Sequence, residues 1–243
     1  EKALAQNPTL FPAKFNLAAT ESRLGNVDKS NLLVEELLSL SPQHNETLML
    51  KAFNLSKAGN LEEAKQIYLD ILTLTPSNTG ARERVSSLYQ QQGDTKNALY
   101  HLDLLIKDDF DNADYLLRKA ALQLEAGQRA DAEKTLSIVR NFINDDAGKL
   151  IAYADQARSV DNDENALDAM ARAYEIANTS TFVTLRYVSL LLDMQNNDKA
   201  QSLLTTIPAN QQQNPVYYFL KGRLAANKGN SEQAIKEFEK ALD

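Results

Sequence analysis

The sequence lacks several residue types on which whole classes of protein depend. Its 243 residues include no Cys, which excludes a disulfide framework, a zinc–thiolate site, an iron–sulfur cluster and a cysteine nucleophile. Trp is also absent, and the only two His, His44 and His101, are too few for a histidine metal cage or a histidine-based proton relay. No apolar run approaches the length of about 18 residues that would predict a membrane span.

Charge and motifs exclude further functions. The chain carries 33 acidic and 26 basic residues, a net charge of −7, whereas a protein that binds nucleic acid needs a basic surface. The sequence has no G-x-S-x-G nucleophile motif, no Walker loop and no G-x-G-x-x-G nucleotide motif. We therefore predict that the chain is not an enzyme, has no cofactor, binds no nucleic acid and inserts no segment of its own into a membrane.

One triplet, Asp161-Asn162-Asp163, begins like a calcium-binding loop. Such a loop requires Gly at its sixth position and Glu at its twelfth, but Ala166 and Arg172 stand there. The pattern therefore favours a solvated turn with an Asp that caps a helix, and no metal site is predicted.

A period of 34 residues runs through the chain. Its markers are Gly25, Gly59, Gly93 and Gly127, and further steps of 34 reach Asp161, Gln195 and Gly229. Five residues after each marker stands a small residue: Ser30, Ala64, Ala98, Ala132, Ala166, Ala200 and Ala234. The chain is therefore a repeat array, and its fold is determined by the repeat.

Each repeat has the pattern of two helices. In residues 45–78, apolar residues recur at three- and four-residue steps up to Gly59, where a residue without Cβ ends a helix at little cost. A second apolar stripe, from Ala64 to Leu72, ends at Pro76, which cannot continue a helix. Helices of about 13 residues are marginal alone in water, so their apolar faces must pack on neighbouring repeats. The predicted fold class is all-α, an α-solenoid of antiparallel helix pairs.

The repeat resembles the tetratricopeptide repeat, whose 34-residue consensus is W-x₂-L-G-x₂-Y…A-x₃-F…P. The last repeat carries most of this pattern, with Tyr218, Lys221, Gly222, Ala234 and Phe238. The resemblance implies a right-handed superhelix with repeats at 11–44, 45–78, 79–112, 113–146, 147–180, 181–214 and 215–243. Residues 1–10 are expected to end a preceding repeat and the last repeat to be truncated, so that the chain is an interior piece of a longer array.

Two repeats depart from the pattern at the turn between their helices. Asp161 and Gln195 stand where the other repeats have glycine. Asparagines lie beside both, and Asn is the next-best residue for a positive φ, so these turns are expected to shift by one residue. The fifth and sixth repeats are therefore predicted to be the least regular part of the array.

The resemblance also indicates where a partner binds, because the first helices of this family line the concave face of the superhelix. Positions 2, 5, 9 and 12 of each repeat share one side of the first helix, and position 6 adjoins it. The expected partner-binding residues are Phe15, Met49, Phe53, Arg84, Arg118, Arg186 and Phe219. An apolar row beside arginines suits an extended or helical peptide with acidic groups. The alternative is that the apolar residues pack between neighbouring first helices and the arginines only solvate the groove.

The predicted function is a noncatalytic protein–protein interaction scaffold that binds a protein or peptide partner in this groove. Residues 7–18 resemble the repeats of bacterial tetratricopeptide lipoproteins of exopolysaccharide and PEP-CTERM (exosortase) protein-sorting systems. That resemblance implies a bacterial envelope or periplasmic location through an anchor outside this chain. The alternatives are a cytoplasmic adaptor or assembly chaperone and the docking array of a larger enzyme. End-to-end self-association is a further expectation.

Overall fold

The computed structural model describes residues 10–143 and 145–242, and within these ranges it is built from helices and connections, without strands. The helices are α1 (Phe11–Arg23), α2 (Val27–Leu40), α3 (Asn45–Lys57), α4 (Leu61–Leu74), α5 (Thr79–Gln91), α6 (Thr95–Asp108), α7 (Ala113–Glu125), α8 (Arg129–Val139), α9 (Ala147–Ser159), α10 (Asp163–Ile176), α11 (Thr181–Asp193), α12 (Asn197–Thr206), α13 (Pro215–Asn227) and α14 (Ser231–Leu242). A short 3₁₀ helix, Ala209–Gln211, follows α12. The predicted all-α solenoid of antiparallel helix pairs is confirmed. The expected remnant of a preceding repeat falls in residues 1–9, outside the described residues.

The chain forms two compact units, each described here by itself. The N-terminal unit, Glu1–Phe110, contains α1–α6, and the C-terminal unit, Asp111–Asp243, contains α7–α14. In both units each odd-numbered helix packs against the even-numbered helix that follows it. The odd-numbered helices, called first helices below, begin every 34 residues, at residues 11, 45, 79, 113, 147, 181 and 215.

One backbone turn joins the two helices of every pair. The residue at the marker position has a positive φ, and the amide of the next residue donates to the carbonyl five residues before it over 2.7–2.9 Å. This is a Schellman turn, which satisfies carbonyls that the end of a helix leaves without partners. Asp161 (φ 57°) and Gln195 (φ 59°) adopt it at the marker position itself. The expected shift onto the neighbouring asparagines is therefore wrong, because the amides of Asn162 and Asn196 donate the hydrogen bonds that close these turns, to Ala157 and Leu191.

Helix capping also corrects the interpretation of the Asp161-Asn162-Asp163 triplet. The cap of α10 is the middle residue, Asn162, whose side-chain oxygen accepts a hydrogen bond from the Asn165 amide at 3.3 Å. Asp161 instead pairs with Arg129 on α8. The triplet is therefore a helix junction, and within the described residues no group of three acidic or His side chains is placed to hold a metal ion.

Irregular helix lengths occur elsewhere than expected. The fifth pair, α9 and α10, has 13 and 14 residues, the same lengths as the first three pairs. The shortened second helices are α8, with 11 residues, and α12, with 10. Pro208 accounts for α12, because it forces Ile207 out of the helical region (ψ 124°). The fourth and sixth repeats thus have the shortest second helices of the described chain.

Small residues let the two helices of a pair approach closely. Ala64, Ala98, Ala132 and Ala166 are completely buried. In the last pair the close approach also involves the first helix, since a Cβ on Gly222 would lie 2.5 Å from the Phe238 ring. The alanines that recur five residues after each marker position therefore lie where the two helices of a pair cross.

A buried polar network fixes the first helix pair against α3. Asn54 is fully buried, and its amide nitrogen donates to Ser30 Oγ at 2.9 Å and to Asn31 Oδ1 at 2.8 Å. Its carbonyl oxygen accepts from Ser22 Oγ at 2.5 Å. Because buried polar groups are costly unless they are hydrogen-bonded, only one relative placement of α1, α2 and α3 satisfies all three partners.

The turn at Gln195 gives a first test of this fold. We expect Gln195→Gly to raise the free energy of unfolding by about 1 kcal/mol. Glycine adopts the left-handed conformation without the steric cost that a Cβ brings, and this gain is partly offset because glycine loses more conformational entropy on folding. The reverse control is Gly59→Gln, which should lower it by a similar amount, because no atom lies within 4 Å of a Cβ there and the effect is purely conformational. Urea denaturation measures both. An unchanged Gln195→Gly stability would contradict the turn.

His101 gives a second test, through pH. Its side chain is buried between Tyr89, whose ring stacks at 5.7 Å, and Tyr100, whose ring lies edge-on at 5.2 Å. Burial, helped by the nearby Arg82 charge, lowers the pKa of His101 below its usual value of 6.5.

Because the unfolded chain then binds the proton more readily, we expect stability to fall as the pH drops below about 6.5. His101→Leu, the residue that the first and sixth repeats carry at this position (Leu33 and Leu203), should reduce this loss. Denaturation curves of both proteins at several pH values measure the effect, and parallel pH dependences would refute it.

Candidate partner-binding surface

The expected partner-binding residues divide between the two compact units. Some of them pack between helices, and others line surface cavities. In the N-terminal unit Phe15 and Met49 are half-buried packing residues. Phe15 packs on the cluster around Ala18, and Met49 packs on the cluster that contains Tyr68. For these two residues the structure favours the alternative of packing between helices.

Phe53 and Arg84 meet on adjacent first helices of the same unit. The Arg84 guanidinium lies 5.4 Å from the centroid of the Phe53 ring, and Lys57 Nζ lies 5.1 Å from it. Both contacts are within the range of cation–π attraction. These side chains line a cavity of about 190 Å³ together with Tyr68. Burial raises the pKa of Tyr68 to about 12.

The C-terminal unit brings Arg186 and Phe219 together. Both line a cavity of about 350 Å³ between α11 and α13, called the apolar cavity here and formed mainly by Phe182, Leu185, Arg186, Ser189, Val216 and Phe219. Phe182, Val216 and Phe219 are 62%, 49% and 48% exposed, so these large apolar side chains face solvent at its rim. Leu185 and Leu220 are buried beneath them. Arg118 lies half-buried on α7 and lines neither this cavity nor the polar one described next.

A second, polar cavity lies on the other side of α11. It measures about 170 Å³ and is lined by Asp155 and Arg158 of α9, Arg186 and Ser189 of α11, and Met170 of α10. Arg186 and Ser189 line both cavities, so α11 is the wall between them.

Ion pairs connect the three first helices along this face. Arg186 pairs with Asp155, and Arg158 Nη1 lies 2.7 Å from Asp193 Oδ2. Arg223 pairs with the other oxygen of Asp193 and donates to Ser189 Oγ at 3.3 Å. Arg186, one of the expected partner-binding residues, is therefore already paired within the chain. Because exposed ion pairs contribute only about 0–1 kcal/mol each, their main effect is to hold the guanidinium groups in fixed orientations.

Sequence reasoning missed four residues of this surface: Phe182, Val216, Arg158 and Asp193. Phe182 and Val216 occupy position 2 of their repeats, which shares a face with positions 5 and 9, so their signal was present in the sequence. The ion pairs were harder to find, because they join residues 30 to 35 positions apart. These separations equal the 34-residue period plus or minus about one helical turn, and this rule identifies which residues of adjacent first helices can pair.

The residues that line the two cavities include no His and no hydroxyl hydrogen-bonded to a base, so no activated nucleophile is assembled there. None of the helices in the described part of the chain combines the length and the apolar character needed to cross a bilayer.

Comparison with known proteins agrees with this geometry. Two tetratricopeptide repeat family models match the sequence, one over residues 164–224 and the other over residues 215–243. These matches show tetratricopeptide repeats over residues 164–243. The matched residues include α11, α13 and one of the three ion pairs between first helices, Arg223–Asp193.

Individual relatives carry the same repeat. Over 80 residues the chain is 35% identical to the TPR repeat-containing thioredoxin TTL4 of Arabidopsis thaliana, a match that covers 33% of this chain and only 12% of that protein. A tetratricopeptide repeat protein from Parabacteroides merdae has a similar fold, with a TM-score of 0.65 and 16% identity over 96% of this chain and 92% of that one. YrrB, described as a TPR protein with an unusual peptide-binding site, has a TM-score of 0.54 and 15% identity over 75% of this chain and 93% of its own.

Proposed function

We propose that this chain is a noncatalytic scaffold that binds a segment of a protein partner across the first helices α9, α11 and α13. That tetratricopeptide repeats serve in protein–protein interaction follows from the family. The observation that carries the assignment to this surface is the apolar cavity, with three large apolar side chains exposed at its rim.

The exposure of these side chains supports binding. Phe182, Val216 and Phe219 lie around one concavity, whereas surface apolar residues of ordinary proteins are scattered singly. Aromatic side chains at the centre of an interface commonly provide most of its binding energy. A cavity of about 350 Å³ accommodates one large apolar side chain of a partner.

An extended peptide is the form of partner that the surface suits best. The two cavities lie side by side across α11, so a bound segment crosses the first helices in succession. The printed description of YrrB, a structural neighbour, refers to a peptide-binding site, which is compatible with this mode.

We further propose that the intact protein works in the bacterial envelope, in assembly of surface polysaccharide or in protein sorting. The support is the resemblance of residues 7–18 to the repeats of lipoproteins of those systems. A cytoplasmic adaptor or assembly chaperone, or the docking array of a larger enzyme, is the alternative, and the same experiment distinguishes them.

The test is site-specific photo-crosslinking of the intact protein in its own cells. A photoreactive phenylalanine analogue at Phe219 should form a covalent product with one protein. The matched control is the analogue at Ile138, which is 46% exposed against 48% for Phe219 but lies on the second helix α8 of the same unit. Equal crosslinking from both positions would contradict the proposed surface.

Mass spectrometry of the crosslinked product tests the compartment. A lipid-modified mature N-terminus and an envelope partner support the envelope proposal. An unprocessed N-terminus with a cytosolic partner overturns that proposal and favours the adaptor.

A further inference from the structure

The two cavities on either side of α11 differ in chemistry but share two residues. The apolar cavity takes a large hydrophobic side chain, whereas the polar cavity is surrounded by Asp155, Arg158 and Arg186. Arg186 contributes to both, since its guanidinium pairs with Asp155 and also lies 6.0 Å from the Phe182 ring. Arg223 of α13 lies 5.9 Å from the Phe219 ring and pairs with Asp193, although it lines neither cavity.

The charges around the polar cavity do not balance. The charged groups that line it are the guanidiniums of Arg158 and Arg186 and the carboxylate of Asp155. Arg158 also pairs with Asp193, which pairs in turn with Arg223, so the ion-pair network around the cavity holds the two carboxylates and all three guanidiniums. Three cations thus share two anions, which leaves one positive charge. Each guanidinium has five N–H donors, more than its single carboxylate partner uses, so donors remain for a further carboxylate.

The geometry points to a two-part recognition site: we propose that the partner segment inserts a large apolar side chain into the apolar cavity and places an Asp or Glu carboxylate against Arg186 and Arg158 in the polar one. This inference rests on the proposed function and specifies the ligand of the same surface.

The spacing of the two groups follows from the helices. Packed helices lie about 8–10 Å apart, and an extended chain advances about 3.3 Å per residue. The apolar residue and the acidic residue of the partner should therefore be about two to four residues apart in its sequence.

Asp155 occupies part of the site and provides a discriminating variant. It competes with the partner's carboxylate for Arg186, so Asp155→Asn, which keeps the shape and removes the charge, should tighten binding about fivefold. If Asp155 only stabilised the fold, Asp155→Asn would not tighten binding of the partner. Arg186→Ala should weaken binding about tenfold, and Arg186→Lys should restore only part of the loss because it lacks the planar fork.

The probe is a phage-displayed library of random peptides selected on the full chain, followed by synthesis of the selected peptide. We expect a large apolar residue and an Asp or Glu at the stated spacing, with affinities measured by isothermal titration calorimetry against each variant. The matched control is Arg172→Ala, which removes an exposed Arg–Asp pair with Asp145 from the second helix α10 and should leave affinity unchanged.

The outcomes separate the two proposals. Two results would overturn the two-part site and leave the proposed function intact, provided that binding still requires Phe219. The first is that a peptide binds equally well after its Asp or Glu is changed to Asn or Gln, and the second is that it binds the Arg186→Ala variant as well as the original chain. Selected peptides whose affinity is unaffected by Phe219→Ser overturn both. Tighter binding by Asp155→Asn together with weaker binding by Arg186→Ala supports the two-part site.

Discussion

The structure depends on one backbone hydrogen bond that recurs in every helix pair. The amide that follows the left-handed residue donates to a carbonyl five residues earlier, and this bond reverses the chain with the same geometry each time. A uniform reversal sets a uniform repeat length, and a uniform length brings equivalent positions of successive first helices onto one face. The turn is sufficiently constrained that Asp161 and Gln195 adopt a conformation that disfavours residues with a Cβ.

The recognition surface follows from the same periodicity. Residues of adjacent first helices meet when they are one period apart, give or take a helical turn, as Asp155 and Arg186 are at 31 positions. The ion pairs and the aromatic rim are therefore placed by the repeat, and they differ between repeats only in side chains. Helix α11 contributes to a cavity on either side of it, so that the two cavities share Arg186 and Ser189 and can act as one site.

The fold could be predicted from the sequence because the same pattern of residues recurs in seven repeats. The glycine and alanine phases revealed the helix pairs, since a left-handed turn and a close crossing each tolerate few residue types. The same reasoning was wrong at Asp161 and Gln195, because intrinsic preference for positive φ ranks Asn higher. The turn keeps its position because the amides of Asn162 and Asn196 donate its closing hydrogen bond.

The candidate site could be predicted only in part. Phe219 and Arg186 were found from helix geometry, but the pairing of Arg186 with Asp155 depends on how far α9 and α11 are displaced along their axes. The displacement depends on how the two helices pack, so it cannot be predicted from the sequence pattern of a single helix. For the same reason Phe15 and Met49, at the position that Phe219 occupies in the last repeat, pack half-buried against core clusters, whereas Phe219 is 48% exposed.

The most direct test of the central claim is amide hydrogen exchange of the full chain with and without its selected peptide. If the first helices form the recognition surface, the added protection should be concentrated in α9, α11 and α13, with little change in α10, α12 and α14. Protection concentrated in the second helices would place the partner on the opposite face and contradict the account.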